Sequence, residues 1–213
     1  MNFSHIPDKE LITGTSGSGK TTLLLKRIRE NRGHYKFVFD AEGQIAFHLK
    51  CRPALTLDDC NRQIMAGVCV FNPSQLFDDV DEGFEFFCDY TFTLSQKLPG
   101  KKWFYADEVQ DHSETHYCSP WLRRIAQKGR WWSLDVCCIS QQPNELHNKL
   151  RNTFTRVSTF QQIDDTAFVY LKRYGFQPDQ VRALPPGQFI TRYKTGEEVR
   201  GEVFKAKLPT GCK

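Results

Sequence analysis

Three kinds of segment are missing from this sequence of 213 residues. No apolar run approaches the ~20 residues that a membrane-spanning helix needs, and the first residues do not combine a charged start with an apolar stretch, as a secretory signal does. Internal repeats and long low-complexity stretches are also absent. We therefore expect a soluble, cytosolic protein with one α/β domain over residues 1–207 and a flexible tail over 208–213.

Cysteine is present, with 8 residues, but not in the spacing of a disulfide or zinc framework. No C-x-x-C occurs, and only Cys137 and Cys138 are adjacent. We expect most of the thiols to be small buried hydrophobic groups in a reducing compartment. The closeness of His112, His116 and Cys118 leaves a metal site open, although the sequence shows no fourth ligand.

Neither sign of charge is in large excess. Lys and Arg together number 29 against 25 for Asp and Glu, which gives a net charge of +4 and a pI of ≈ 8.6. This mildly basic balance is compatible with a nucleic-acid partner but does not require one.

The most informative stretch is Gly14–Thr21, which reads Gly-Thr-Ser-Gly-Ser-Gly-Lys-Thr and matches the phosphate-binding pattern G-x-x-x-x-G-K-S/T. The apolar run Glu10–Thr13 precedes it and a helix-forming run follows, so the motif has the strand–loop–helix context that it requires. Its glycines let successive N–H groups face a phosphate, and the helix N-terminus adds to this anion site. The predicted nucleotide-binding residues are Gly14, Thr15, Ser16, Gly17, Ser18, Gly19, Lys20, Thr21 and Thr22.

This motif predicts ATP and Mg²⁺ as cofactors. Lys20 is expected to reach the β- and γ-phosphates, and the Thr21 hydroxyl is expected to ligate the metal ion.

A second stretch, Lys102–Glu108, is an apolar strand that ends in adjacent carboxylates. Downstream of a phosphate-binding loop, this is the Walker B arrangement. Asp107 is predicted to hold Mg²⁺ directly or through water, and Glu108 to polarise the attacking water as general base. Because an Asp-Glu pair after a strand is common by chance, the functional interpretation depends on Gly14–Thr21.

The remaining chain alternates apolar runs with helical patterns, which is typical of an α/β fold. Phenylalanines recur at helical spacing between residues 74 and 96, and we expect them in the core rather than stacked on bases. Gln141 follows the apolar strand 134–140 and is a candidate contact of the γ-phosphate or the attacking water. Strands are predicted over 35–40, 67–72, 102–108, 134–140 and 153–160, helices over 43–49, 74–96, 114–130 and 164–174, and a terminal hairpin over 188–193 and 199–205.

Two further runs resemble a known group of motors. Arg124–Arg130 reads Arg-Ile-Ala-Gln-Lys-Gly-Arg, and Val136–Pro143 reads Val-Cys-Cys-Ile-Ser-Gln-Gln-Pro. They resemble the FtsK–HerA superfamily of DNA-pumping ATPases, in which a run such as RIAQKAR precedes a strand that ends in TQRP. The resemblance covers about residues 11–160 and implies a RecA-like, additional-strand P-loop fold, with a mostly parallel sheet flanked by helices.

The resemblance also implies roles for two residues. Arg130 ends the basic helix and would act on the ATP of the neighbouring subunit, a task that suits a permanently charged, bidentate guanidinium. Gln141 would be the γ-phosphate sensor. With Lys20 and Glu108, they complete the predicted catalytic set.

Chain length narrows the resemblance to the genome-packaging ATPases of tailless icosahedral viruses with internal membranes, because no room is left for a winged helix or a β-barrel. This implies an ATP-driven, hexameric ring that moves double-stranded DNA into a preformed capsid. Expected partners are DNA, further copies of the chain, and capsid-vertex or membrane proteins, in the host cytoplasm and the virion. Candidate DNA-backbone contacts are Lys101, Lys102, Lys149, Arg151 and Arg156.

Three alternatives remain open. A filamentous-phage assembly ATPase of the Zot group would share the loop but usually has a membrane segment and a longer chain. A monomeric nucleotide switch or small-molecule kinase would leave Glu108, Arg130 and Gln141 without a joint role. A non-enzymatic DNA-binding scaffold would leave the whole phosphate-binding motif unused.

Overall fold

The computed structural model describes residues 5–204, so the predicted tail 208–213 lies outside the described part. No helix within residues 5–204 is long and apolar enough to cross a bilayer. The strands are β1 (Lys9–Thr13), β2 (Tyr35–Phe39), β3 (Val68–Phe71), β4 (Lys102–Ala106), β5 (Leu134–Ser140), β6 (Arg156–Thr159), β7 (Gln188–Tyr193) and β8 (Glu198–Glu202). The α-helices are α1 (Lys20–Glu30), α2 (Gln44–Leu49), α3 (Leu57–Met65), α4 (Val80–Lys97), α5 (Pro120–Lys128), α6 (Asn148–Arg151), α7 (Asp165–Leu171) and α8 (Pro178–Arg182).

The described strands form one sheet of eight, in the order β3-β2-β4-β5-β1-β6-β7-β8. All pairings from β3 to β6 are parallel, and β7 and β8 form an antiparallel hairpin at one edge. This confirms the predicted, mostly parallel sheet with a C-terminal hairpin. Because β4, β5 and β1 are neighbours and parallel, the loops after their carboxyl ends meet at the same edge of the sheet.

Apolar side chains cover both faces of the sheet, which explains the continuous hydrophobic runs of its central strands. One face packs against α4, where Phe84 and Phe87 are fully buried, as expected for core residues. The other face packs against α1 through Leu23 and Leu24. The sheet is therefore an interior layer, and its carboxyl edge is left free to carry polar groups.

A buried ionic group joins the later part of α1 to the start of β1. The fully buried Glu10 of β1 accepts hydrogen bonds from Arg27 of α1 at 2.8 and 3.0 Å and from Arg156 of β6 at 2.7 Å. Ser158 donates a further bond at 2.5 Å. Burial alone would raise the pKa of Glu10, but the charges of Arg156 and Arg27 outweigh it and the pKa is lowered. The carboxylate therefore stays charged and holds the start of β1 to the body of α1.

Two predicted helices are shorter than their periodicity suggested. The pattern over residues 74–96 is divided into a short 3₁₀ turn, Pro73–Gln75, and α4, because the Asp79 side chain accepts from the Asp81 N–H and begins a new helix there. The pattern over 114–130 begins as α5 only at Pro120, where the Ser119 hydroxyl accepts from the Leu122 N–H. In both cases a side-chain cap sets the boundary.

Candidate nucleotide-binding and catalytic site

The loop between β1 and α1 has a backbone that requires glycine. Gly14, Gly17 and Gly19 have φ values of 151°, 72° and 115°, all disfavoured for residues with a side chain. A Cβ on Gly14 would lie 2.7 Å from Phe160 Cβ, and one on Gly19 would lie 2.8 Å from Val203 Cγ2. Conformation and close packing thus both fix the identity of these two residues.

Lys20, the first residue of α1, extends back over this loop. Its side chain is buried, and Nζ donates to the Thr15 carbonyl at 3.0 Å. Burial lowers the pKa of Lys20, whereas the charges of Glu108 and Asp107 oppose that shift. The ammonium therefore interacts electrostatically with both carboxylates. It also lies over the loop whose backbone N–H groups would bind a phosphate.

Thr21 and Asp107 bring two oxygen ligands together. The Thr21 hydroxyl lies 3.5 Å from Asp107 Oδ2, and Asp107 directly follows β4. Burial and the adjacent charge of Glu108 raise the pKa of Asp107 to about 6. A buried carboxylate next to a hydroxyl at a helix N-terminus suits Mg²⁺, which prefers oxygen ligands and keeps several waters.

Glu108 is the most constrained residue of the site. Its φ of 45° places it in the left-handed region, and its N–H donates to Asp107 Oδ1 at 2.9 Å. Gln141 Nε2 donates to Glu108 Oε1 at 2.6 Å, and Gln110 Nε2 donates to Oε2 at 2.5 Å. The strained backbone and the two amide donors together fix the position and orientation of the Glu108 carboxylate.

A cavity of about 820 Å³ opens above these groups. It brings together the predicted residues Ser16, Gly17, Lys20, Thr21, Asp107, Glu108 and Gln141. Its other described lining residues are Phe39, Asp40, Ala41, Glu42, Gln44, Asp79, Val80, Asp81, Asp111 and His112. The predicted residues Gly14, Thr15, Ser18, Gly19 and Thr22 lie in the same loop and the first turn of α1 but do not line this cavity.

Most of the acidic residues that line the cavity were not predicted from the sequence. Five carboxylates join Asp107 and Glu108 there, and Lys20 is the sole lysine or arginine among the described residues of the lining. Asp40 carried a signal, because it follows β2 and must lie at the same edge of the sheet as Asp107. The position of Asp81 depends on how α4 packs, and that of Asp111 on the 3₁₀ turn Val109–His112, neither of which a local pattern reveals.

His112 belongs to the wall of this cavity rather than to a recognisable metal site. Its ring is buried, stacks on Phe84 with centroids 3.8 Å apart, and lies 2.6 Å from Asp81 through Nδ1. His116 is exposed, and the Cys118 thiol contacts the Ser119 carbonyl. Within residues 5–204 no group of three or more His, Cys, Asp or Glu side chains could hold a metal ion.

Arg130 lies apart from the cavity. It is exposed and lies in the 3₁₀ turn Gly129–Trp132, which comes before β5, whereas Gln141 directly follows the last residue of that strand. Arg130 lies near the start of β1, because its charge contributes to the lowering of the Lys9 pKa, after burial. The five other predicted residues of the catalytic and metal set line one cavity, and Arg130 lies at the opposite edge of the sheet.

The five candidate DNA contacts divide into two groups. Lys102 and Arg151 are buried and donate to backbone carbonyls, and Arg156 binds Glu10. Lys101 is half-buried and pairs with the buried Asp135, while Lys149 is exposed. Four of the five are thus bound within the chain, which leaves Lys149 and the exposed part of Lys101 accessible.

Comparison with known proteins gives structural matches only. No family model and no curated protein sequence matches the chain. The genome-packaging NTPase B204 of Sulfolobus turreted icosahedral virus 2, in complex with AMPPCP, superposes with a TM-score of 0.71 at 15% identity, over 92% of this chain and 97% of that one. The chain has a P-loop ATPase fold.

Two further structures share this fold. The DNA-packaging ATPase B204 of Sulfolobus turreted icosahedral virus matches with a TM-score of 0.68 at 15% identity, over 92% of this chain and 98% of that one. The cytoplasmic domain of the Thermomonospora curvata type VII secretion ATPase EccC matches with a TM-score of 0.58 at 16% identity, over 91% of this chain but 25% of that one. The P-loop ATPase fold is thus common to proteins of different size and role.

Proposed function

We propose that this chain is an ATPase that drives double-stranded DNA into a viral capsid. The observation that carries the ATPase part is the convergence of Lys20, Thr21, Asp107, Glu108 and Gln141 on one cavity at the carboxyl edge of the sheet. The packaging part is supported by the likeness to B204 over nearly the full length of both chains.

In the proposed reaction, water attacks the γ-phosphorus of ATP and the bond from that phosphorus to the β–γ bridging oxygen breaks, which yields ADP and inorganic phosphate. Glu108 accepts the proton of the attacking water, and Gln141 orients Glu108 through the 2.6 Å bond. Lys20 binds the β- and γ-phosphate oxygens. When bound, Mg²⁺ would be held by Thr21 and Asp107 and would neutralise charge on the same oxygens.

The charge of the cavity supports a site shared between subunits. The cavity is lined by seven carboxylates and one lysine, so a bound triphosphate would experience a net negative electrostatic potential. Further cations must offset that potential. Arg130 is exposed at the opposite edge of the sheet, so a head-to-tail neighbour can present it to this cavity. Repeated head-to-tail contacts close into a ring when the rotation permits, and we propose a hexamer.

We further propose that the ring grips DNA through phosphates, with capsid-vertex or membrane proteins as partners in the host cytoplasm and the virion. Contacts with phosphates are blind to sequence and weaken steeply with salt. Lys149 and the exposed cations of α5, Arg124 and Lys128, are the accessible groups for such contacts.

The test is steady-state ATP hydrolysis by the purified protein, with and without double-stranded DNA, at low and high salt. We expect DNA to stimulate turnover and salt to abolish the stimulation, while the Lys20→Ala variant stays inactive. Hydrolysis that is indifferent to DNA would support an assembly ATPase of the Zot type. A phosphorylated small product from a monomer would support a kinase and contradict this proposal.

A further inference from the structure

Gln110, two residues after Glu108, has no role in the proposed mechanism. It lies in the 3₁₀ turn Val109–His112, which directly follows Glu108. The turn is firmly anchored, because Val109 is fully buried and His112 stacks on Phe84. The backbone that carries Gln110 is thus fixed from both sides.

The Gln110 side chain turns back towards Glu108. Its Nε2 donates to Glu108 Oε2 at 2.5 Å, and the orientation of the amide follows from chemistry, since its oxygen would repel the carboxylate. The same amide also lowers the pKa of the Asp111 carboxyl, which burial and the charge of Glu108 raise. The Gln110 amide thus lies near two acids and donates to Glu108.

The amide holds this position at a local cost. Gln110 Oε1 is buried, and within residues 5–204 no donor lies within hydrogen-bonding distance of it. A buried polar atom without a partner is unfavourable and calls for an explanation. The left-handed backbone of Glu108 is a second local cost two residues away. The contact between Gln110 and Glu108 thus combines two unfavourable features. This indicates a functional constraint rather than a requirement of packing.

We infer that Gln110 is a positioning residue for the general base, an inference that rests on the proposed ATPase function. The terminal torsion of a glutamate side chain is broad, so one donor on one oxygen does not fix the plane of the carboxylate. Gln141 holds Oε1 and Gln110 holds Oε2, and together they fix that plane. A carboxylate offers about four acceptor sites, so lone pairs remain free to take a proton from water.

The test compares Gln110→Leu, which keeps the volume and removes the donor, with Gln96→Leu, a matched control at an exposed glutamine of α4. Since a general base contributes roughly 10²–10⁴-fold, loss of its alignment should lower kcat about tenfold or more. KM for ATP and the affinity for a fluorescent ATP analogue should stay within about twofold, because the ground state is bound by other groups. Gln110→Asn, too short to reach Glu108, should behave alike and serves if the leucine variant does not fold.

The decisive arm is the Glu108→Gln background. A residue that acts through Glu108 has no further effect once the base is removed, so Gln110→Leu should leave the residual rate of Glu108→Gln unchanged. An equal loss in both backgrounds, or full turnover by the single variant, would overturn the inference while wild-type hydrolysis upheld the ATPase. A wild-type protein without any hydrolysis would overturn the proposed function and this inference with it.

Discussion

Arg130 and Gln141 lie on opposite sides of one strand, β5 (Leu134–Ser140): Arg130 in the 3₁₀ turn before it and Gln141 directly after it. At about 3.3 Å per residue, the strand alone separates them by roughly 20 Å. No rearrangement of side chains lets one subunit bring both residues to a single γ-phosphate. If both act on ATP, they act on different ATP molecules or from different subunits.

Arg130→Ala should fold and bind ATP but fail to turn it over, and so should show the trans arrangement directly. Mixed with the inactive Lys20→Ala variant, it should recover part of the activity, because some interfaces then pair an intact loop with an intact arginine. The measurement is ATPase rate against mixing ratio, with Arg62→Ala, an exposed arginine of α3, as the control that keeps full activity. No recovery at any ratio would argue against action in trans.

Glu108→Gln should retain ATP without hydrolysing it. The amide preserves the shape of the side chain but cannot accept the proton of the attacking water, so turnover should fall about 100-fold or more. Single-turnover hydrolysis and retention of labelled ATP on the protein measure the two effects. The control is Glu114→Gln, an exposed glutamate of the following loop, and a wild-type rate in Glu108→Gln would exclude the residue as base.

Asp107→Asn should stabilise the protein at alkaline pH in the absence of Mg²⁺ and nucleotide. The pKa of Asp107 is raised from 3.8 to about 6, so the folded protein binds this proton more tightly than the unfolded chain does. The stabilisation from the bound proton is complete below about pH 4 and is lost as pH rises through 6. Asparagine should therefore raise the free energy of unfolding at pH 8 by at most about 3 kcal/mol.

Urea denaturation at pH 4 and pH 8 measures this difference. The gain from asparagine should vanish at pH 4, where Asp107 is already neutral. A gain of equal size at both values would contradict a raised pKa, and the same variant should bind Mg²⁺–ATP weakly at either pH because a metal ligand is missing.

Glu10→Ala should lower the free energy of unfolding far more than Glu30→Ala, which removes an exposed carboxylate of α1. Loss of Glu10 leaves Arg27 and Arg156 without their buried partner, which costs about 3–5 kcal/mol. Glu30→Ala removes only an exposed pair with Lys26, 4.0 Å long, and should cost under about 1 kcal/mol. Chemical denaturation compares them, and similar midpoints would contradict a structural role for Glu10.

The sequence was sufficient for the parts of the site that strand order determines. The bounds of β5 were predicted correctly, and Gln141 was predicted at its end as a candidate contact of the γ-phosphate or the attacking water. The structure places its amide 2.6 Å from Glu108, within the same site. Parallel strands place their carboxyl ends together, so motifs that follow such strands meet whatever the intervening helices do. This is why distant residues such as Lys20 and Asp107 could be assigned to one site.

Helix boundaries and the wall of the cavity could not be predicted in the same way. Apolar periodicity over residues 74–96 continues through the break that Asp79 caps, so the pattern alone gave one helix where there is a 3₁₀ turn and then α4. The contact of Gln110 with Glu108 depends on a left-handed backbone at a glutamate, which residue type disfavours. Such features arise from tertiary packing and have no local signature.

The Glu10–Arg27 pair also determines how the phosphate-binding loop can respond to a nucleotide. The loop begins where β1 ends and finishes where α1 begins, and this ion pair bridges those same two elements. The pair lies three residues before the end of β1 and seven residues after the start of α1, so it fixes these two elements relative to each other rather than the loop itself. With both flanking elements held, the loop has less conformational freedom to lose, and binding costs less ordering entropy there. The loop is therefore preorganised for phosphate binding. We expect the conformational changes of a turnover cycle to occur in the other elements around the cavity.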